Sequence, residues 1–140
     1  MSEKRVEAVG RLVAQARRDL ESARINRDAE RYEVAAFLAQ QAVEKFLKAA
    51  WMGVLRRDQP HSHSLLELAR PFEMPAGLGP RLAYLNLDYT VARYPDAANG
   101  VPFEQYDRAT ADEKLAIAGE AFRWIESLFA TTSPPTSDGS

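Results

Sequence analysis

One segment constrains the fold of this chain more than any other. From Tyr32 onward, Tyr32, Ala36, Ala39, Val43, Phe46 and Ala50 recur at intervals of 4, 3, 4, 3 and 4. That is the repeat of one face of an α-helix, and it does not fit the two-residue alternation of a half-buried strand. Phe37, Leu38, Leu47 and Trp51 widen the face past a single stripe, which predicts a helix at the centre of a bundle. The alanines at 35, 36, 39, 42, 49 and 50 allow close helix approach. Gly53 and the run Arg56-Arg57-Asp58-Gln59-Pro60 end the segment.

Other helices gather around this one. Val6, Val9, Val13, Ala16, Leu20 and Ala23 mark one stripe of a helix from Lys4 to Asn26, with charged residues filling most positions between. A short helix fits Ser62 to Arg70, with Ser62 or His63 near its start and Pro71 just past its end. Pro75, Gly77, Gly79 and Pro80 read as a connection, after which Leu82, Leu85, Tyr89 and Ala92 mark a fourth helix that Pro95 stops. Thr110-Ala111-Asp112-Glu113 has the form of a capping box opening the last helix, where Leu115, Ala118, Phe122, Ile125 and Phe129 repeat. The expected fold is all-α, an up-and-down bundle of four main helices plus one short helix over residues 1–130. Residues 131–140 carry Pro134-Pro135 and no apolar anchor, and read as a disordered C-terminal tail.

Charge and composition narrow the function classes. The 140 residues suffice for one domain, and 18 Lys+Arg against 20 Asp+Glu give a net charge of −2. That balance argues against coating nucleic acid by bulk electrostatics and leaves room only for a local basic site. With no cysteine there is no disulfide framework, thiolate metal site or cysteine nucleophile. No uncharged stretch approaches the ~18 residues of a membrane span, and no apolar run follows the charged N-terminus. A cytoplasmic protein without a membrane partner is the expectation.

Three constellations can carry chemistry. On the central helix, Phe37, Gln41, Glu44, Lys48 and Trp51 share one face that turns polar in its middle. It is either a solvated face stapled by a Glu44–Lys48 pair or a seam turned toward a groove or a second subunit. His61 and His63 flank Ser62 without the i,i+4 partner or carboxylate cluster a metal requires, so no metal site is expected; one of them helps cap the short helix or acts as a catalytic imidazole. In Tyr89-Thr90-Val91-Ala92-Arg93-Tyr94-Pro95-Asp96, Arg93 has the guanidinium fork for a phosphate and Tyr94 a ring to stack on a base. The opposing reading pairs Arg93 with Asp96 to pin the following loop and packs Tyr94 on the bundle. There is no Gly-rich phosphate loop, nucleophile elbow or HExxH helix, and no cofactor is expected.

The run Ala36-Phe37-Leu38-Ala39-Gln40-Gln41-Ala42-Val43-Glu44-Lys45-Phe46-Leu47-Lys48-Ala49 is followed by His63-Ser64-Leu65 and Ala92-Arg93-Tyr94-Pro95-Asp96, and preceded by Asp19-Leu20-Glu21-Ser22-Ala23. In that order they resemble the HEPN family of small helical domains, over about residues 10 to 128. The resemblance implies homodimers and association with nucleotides or RNA. In many prokaryotes it also implies pairing with a separately encoded minimal nucleotidyltransferase, in a toxin–antitoxin-like system. Catalytic members of the wider family are metal-independent ribonucleases in which a histidine follows an arginine after four to six residues. Here Ala98, Asn99 and Gly100 stand where that histidine falls after Arg93.

The function expected is therefore a non-catalytic module that binds a nucleotide, RNA or the nucleotidyltransferase partner through Gln41, Glu44, Lys48, His63, Arg93, Tyr94 and Asp96. The alternatives are a ribonuclease using Arg93 with His61 or His63, and a ligand-free oligomerisation scaffold. A homodimer is expected independently from Phe37, Leu38, Val43, Phe46, Leu47 and Trp51, whose surplus of apolar surface calls for a second chain.

Overall fold

A computed structural model of the protein describes residues 1–131, the side chains of Asp96 and Ala98 excepted, so the expected C-terminal tail lies almost wholly outside the described residues. Two long helices, α1 (Glu3–Asp28) and α2 (Tyr32–Gly53), are followed by the short α3 (Leu65–Ala69) and by α4 (Leu78–Asn86). A one-turn α5 (Pro95–Ala98) precedes the long α6 (Arg108–Thr131). Tight 3-10 turns at Leu87–Tyr89 and Pro102–Glu104 complete the chain, and no strand occurs among the described residues.

The bundle is built around α2, which packs on α1, α6 and α3. Ala35, Ala36, Ala39, Ala42, Val43, Leu47, Ala49 and Ala50 have no exposed surface, and the alanines let α1 and α6 approach α2 closely. The Phe46 ring lies 4.7 Å from Phe122 and 5.8 Å from Phe129 between centroids. Trp51 donates its indole N–H to the Leu68 carbonyl at 2.8 Å. The apolar residues that argued for a second chain are thus largely consumed within one: Val43, Phe46 and Leu47 are buried, while Phe37, Leu38 and Trp51 are half-buried. Val6 departs the other way, 53% exposed.

Helix ends depart from the sequence expectation in three places. The third helix is shorter than Ser62 to Arg70: Ser64 caps it, accepting the Glu67 N–H at 3.2 Å, and His63 is left out of capping. The fourth begins earlier and ends sooner. Gly77, in the left-handed region at φ 84°, turns the chain into α4, so that Gly79 and Pro80 lie inside the helix rather than in a connection. Pro80 is tolerated because first-turn N–H groups have no helical acceptor. Beyond Asn86 the chain tightens, and β-branched Thr90 and Val91 do not prolong the helix.

The last helix is capped by Asp107, not by Thr110. Asp107 Oδ1 accepts the Thr110 N–H at 2.8 Å, and this bond holds the Asp107 carboxyl below its usual range. A buried polar cluster then ties the 95–107 connection down. Asp88, 1% exposed, accepts the Tyr106 hydroxyl, and Lys114 Nζ lies 2.7 Å from Asp88 Oδ2. The ammonium is aimed at the Tyr84 carbonyl, 2.7 Å away, so its contact with Asp88 is an ion pair rather than an aligned hydrogen bond. Burial pushes the Asp88 carboxyl upward against the opposing pull of Lys114 and Tyr106.

Candidate functional site

The polar seam of α2 is turned inward. Glu44 is 4% exposed, and its carboxylate accepts from Lys48 Nζ at 3.0 Å, one helical turn along. The same carboxylate faces His63 Nδ1 at 3.0 and 3.1 Å and accepts from Gln40 Nε2 at 3.3 Å. A carboxylate at Nδ1 assigns a proton to that nitrogen and leaves Nε2 as the outward-acting atom of the imidazole. Gln40, fully buried, accepts from Gln41 at 2.8 Å and directs its amide toward the His63 carbonyl and Asn86. Asn86 Oδ1 in turn accepts the Leu65 N–H at 3.0 Å, which joins α4 to the start of α3 and fixes the chain at His63.

His63 and Arg93 meet on one ring. The imidazole stacks on Tyr89 with centroids 4.3 Å apart and planes inclined by 17°. The Arg93 guanidinium carbon lies 4.7 Å from the Tyr89 centroid, 4.6 Å from Phe37 and 4.8 Å from Tyr94. Its Nε donates to the Tyr89 carbonyl at 2.8 Å. Three aromatic rings flank the cation, and among the described residues no carboxylate pairs with Arg93. The cage exists because Tyr89 precedes Arg93 by one turn and because α2 presents Phe37 on the same side as Glu44.

Of the residues singled out in the sequence, Gln41, Glu44, Lys48, His63, Arg93 and Tyr94 converge on this side of α2. Tyr94 is 51% exposed and covers Arg93 instead of packing into the bundle. His61 is exposed and makes no side-chain contact with the cluster among the described residues. The Asp96 side chain, and with it both the Arg93–Asp96 pin and a ligand role for Asp96, lies outside the described residues. Sequence reasoning missed Tyr89 as the shared platform, together with Gln40, Asn86 and the caging role of Phe37. The available signals were the i,i+4 spacing of Tyr89 and Arg93 and a glutamine, Gln40, set among alanines that pack inward.

Among the described residues no group of three or more His, Asp or Glu side chains is arranged to hold a metal ion, and no helix is long and apolar enough to cross a membrane. A sequence profile of the HEPN domain matches residues 9–128. TT1696 from Thermus thermophilus, a solved structure, is similar with a TM-score of 0.78 and 30% identity, over 86% of this chain and 97% of that one. ST0689, described as an archaeal HEPN homologue, is similar with a TM-score of 0.74 and 33% identity, over 86% and 97% of the two chains. No curated protein matches.

Proposed function

We infer a binding function from one premise: the chain belongs to the HEPN domain family. The protein binds the phosphate of a nucleotide or short RNA at Arg93, with Tyr94 available to stack on a base, and does so without turnover. The observation that carries this reading is the Arg93 guanidinium, caged by Phe37, Tyr89 and Tyr94 and lacking a carboxylate among the described residues. A cation stacked in this way gives up part of its rotamer freedom before any ligand arrives, which lowers the ordering cost of a bidentate phosphate contact. Glu44 and Lys48 satisfy each other, so their role is to hold His63 beside the ligand rather than to touch it. Family membership, rather than an apolar surplus of α2, supports a cytoplasmic homodimer that works beside a separately encoded minimal nucleotidyltransferase in a toxin–antitoxin-like pair.

Calorimetric titration with nucleotides and a short single-stranded RNA tests the reading. Arg93→Ala is expected to weaken binding by about 1.5–3 kcal/mol with the melting temperature preserved, and Arg93→Lys to recover only part, because an ammonium lacks the planar fork. Unchanged affinity in Arg93→Ala overturns it. Light scattering is expected to return twice the 15.6 kDa chain mass, and the product of a neighbouring nucleotidyltransferase reading frame to co-purify.

A second reading is favoured by the Glu44–His63 pair. With its Nδ1 proton held by Glu44, the His63 Nε2 is free to take the proton of an RNA 2′-hydroxyl, whose oxygen then attacks the adjacent phosphorus. The 5′-oxygen leaves with a proton taken from water, a 2′,3′-cyclic phosphate forms, the proton on His63 Nε2 returns to solvent, and Arg93 offsets the charge gathering on the non-bridging oxygens. Incubation of labelled RNA with chelator separates the readings: cyclic-phosphate ends that vanish in His63→Ala establish the ribonuclease, and intact RNA overturns it and leaves the titration above to decide binding.

A further inference from the structure

A second concentration of cationic side chains lies where α1 and α6 meet. Arg17 and Arg24 flank Leu20 on one stripe of α1, and Arg123 and Glu126 stand on the facing stripe of α6 around Phe122. Together they line a cleft of about 270 Å³ floored by the buried Leu20 and Phe122. That is below the ~300–1,000 Å³ of pockets that enclose drug-sized ligands, and suits a single small polar group. Gly119 keeps the floor open, and a Cβ built there meets only Arg123 Nη1, at 3.7 Å, so the guanidinium folds back along α6 over the cleft.

The charges in this cleft are not balanced. Glu126 is committed to Arg17 at 3.0 Å, while Arg24 and Arg123 have no acidic partner among the described residues. The lining sets three exposed cations against one exposed anion in a protein of net charge −2. Like charges gathered in one cleft repel, and the repulsion is relieved when an anion enters. We propose that the α1–α6 cleft is an anion site for a phosphate group, held by Arg24 and Arg123 with Arg17 fixed beside them by Glu126. The site shares no residue with the Arg93 cage and stands whether or not that cage binds nucleotides.

Two phosphate sources fit, a small free phosphate compound and the backbone of RNA. The test follows backbone amide signals by NMR while inorganic pyrophosphate, then a short single-stranded RNA, is added to the intact protein. The expected result is saturable movement of the Leu20, Gly119 and Arg123 amides, lost in Arg24→Ser/Arg123→Ser, whose affinity falls about tenfold or more while its melting temperature holds. If RNA is the source, the double variant also lowers the slope of log affinity against log salt by about 1.4, at about 0.7 for each single-strand phosphate contact removed. If pyrophosphate alone moves these amides, the site takes free phosphates. Amides that stay fixed with both probes, or that move equally in the double variant, overturn the proposal, as does a variant that only loses stability. Signals at Tyr89 and Arg93 report the other site in the same spectra, so failure of one site is read separately from failure of the other.

Discussion

At the residue scale, Glu44 and Arg93 show two opposite ways of holding a charge. Glu44 is buried and surrounded by donors on every side, and its worth lies in what it satisfies. Replacing it by Ala leaves Lys48, whose side chain is 13% exposed, without its partner and leaves the His63 ring held by its stack on Tyr89 alone. The expected cost is about 3 kcal/mol in denaturant unfolding, the penalty for stranding one member of a buried pair. Arg93 is exposed, and its truncation is expected to cost binding and almost no stability. The spacing of Glu44 and Lys48 made their pairing legible in the sequence; the approach of His63 to the same carboxylate was not, because it depends on how the 54–64 connection returns the chain across α2.

At the element scale, helix ends and glycines offer the sharpest tests. Asp107→Ala is expected to lower the melting temperature by more than Thr110→Ala does, since the cap rests on the Asp107 carboxylate and the Thr110 N–H, with the Thr110 hydroxyl as a lesser contributor. The Asp107 pKa is depressed in the fold, so its stabilisation is complete above the ordinary carboxylate pKa, about 4, and is lost as pH falls through the depressed value. In Asp107→Ala that part of the acid dependence of melting disappears. Gly10 has open space where a Cβ would stand, and Gly10→Ala is expected to stabilise α1 by about 0.5–1 kcal/mol. Gly53→Ala has the opposite sign: its Cβ meets Phe129 Cε1 at 2.8 Å and Val9 Cγ1 at 3.3 Å, so melting is expected at lower temperature despite the better helix former.

For the whole molecule, the question is how a long connection that carries no regular core of its own is made part of the bundle. The answer is the buried cluster of Asp88, Tyr106 and Lys114, which links the turn after α4, the connection and α6. Tyr106→Phe removes one donor from a buried carboxylate and is expected to cost about 1–2 kcal/mol in global unfolding, with faster amide exchange through residues 101–106. The Asp88 pKa is raised, so its pH slope runs against that of Asp107: it favours the fold in acid and loses that contribution as pH rises through the raised value.

Periodicity alone determined the all-helical class, the central place of α2 and most buried positions, because a 3.6-residue repeat of apolar side chains has one way to leave water. The run from Ala36 to Ala49, with His63-Ser64-Leu65 and Ala92-Arg93-Tyr94-Pro95-Asp96 after it, pointed to the family, and the residues of the seam, the histidine and the arginine were each visible one at a time. Only the tertiary structure decided that His63 and Arg93 share the Tyr89 ring, that Asp107 rather than Thr110 caps α6, and that Val43, Phe46 and Leu47 are buried within one chain while Phe37, Leu38 and Trp51 stay half-buried. Each of these depends on long-range packing. Which side chains meet across helices, and which of two adjacent caps is used, follows from how connections close, and local spacing carries no record of that closure.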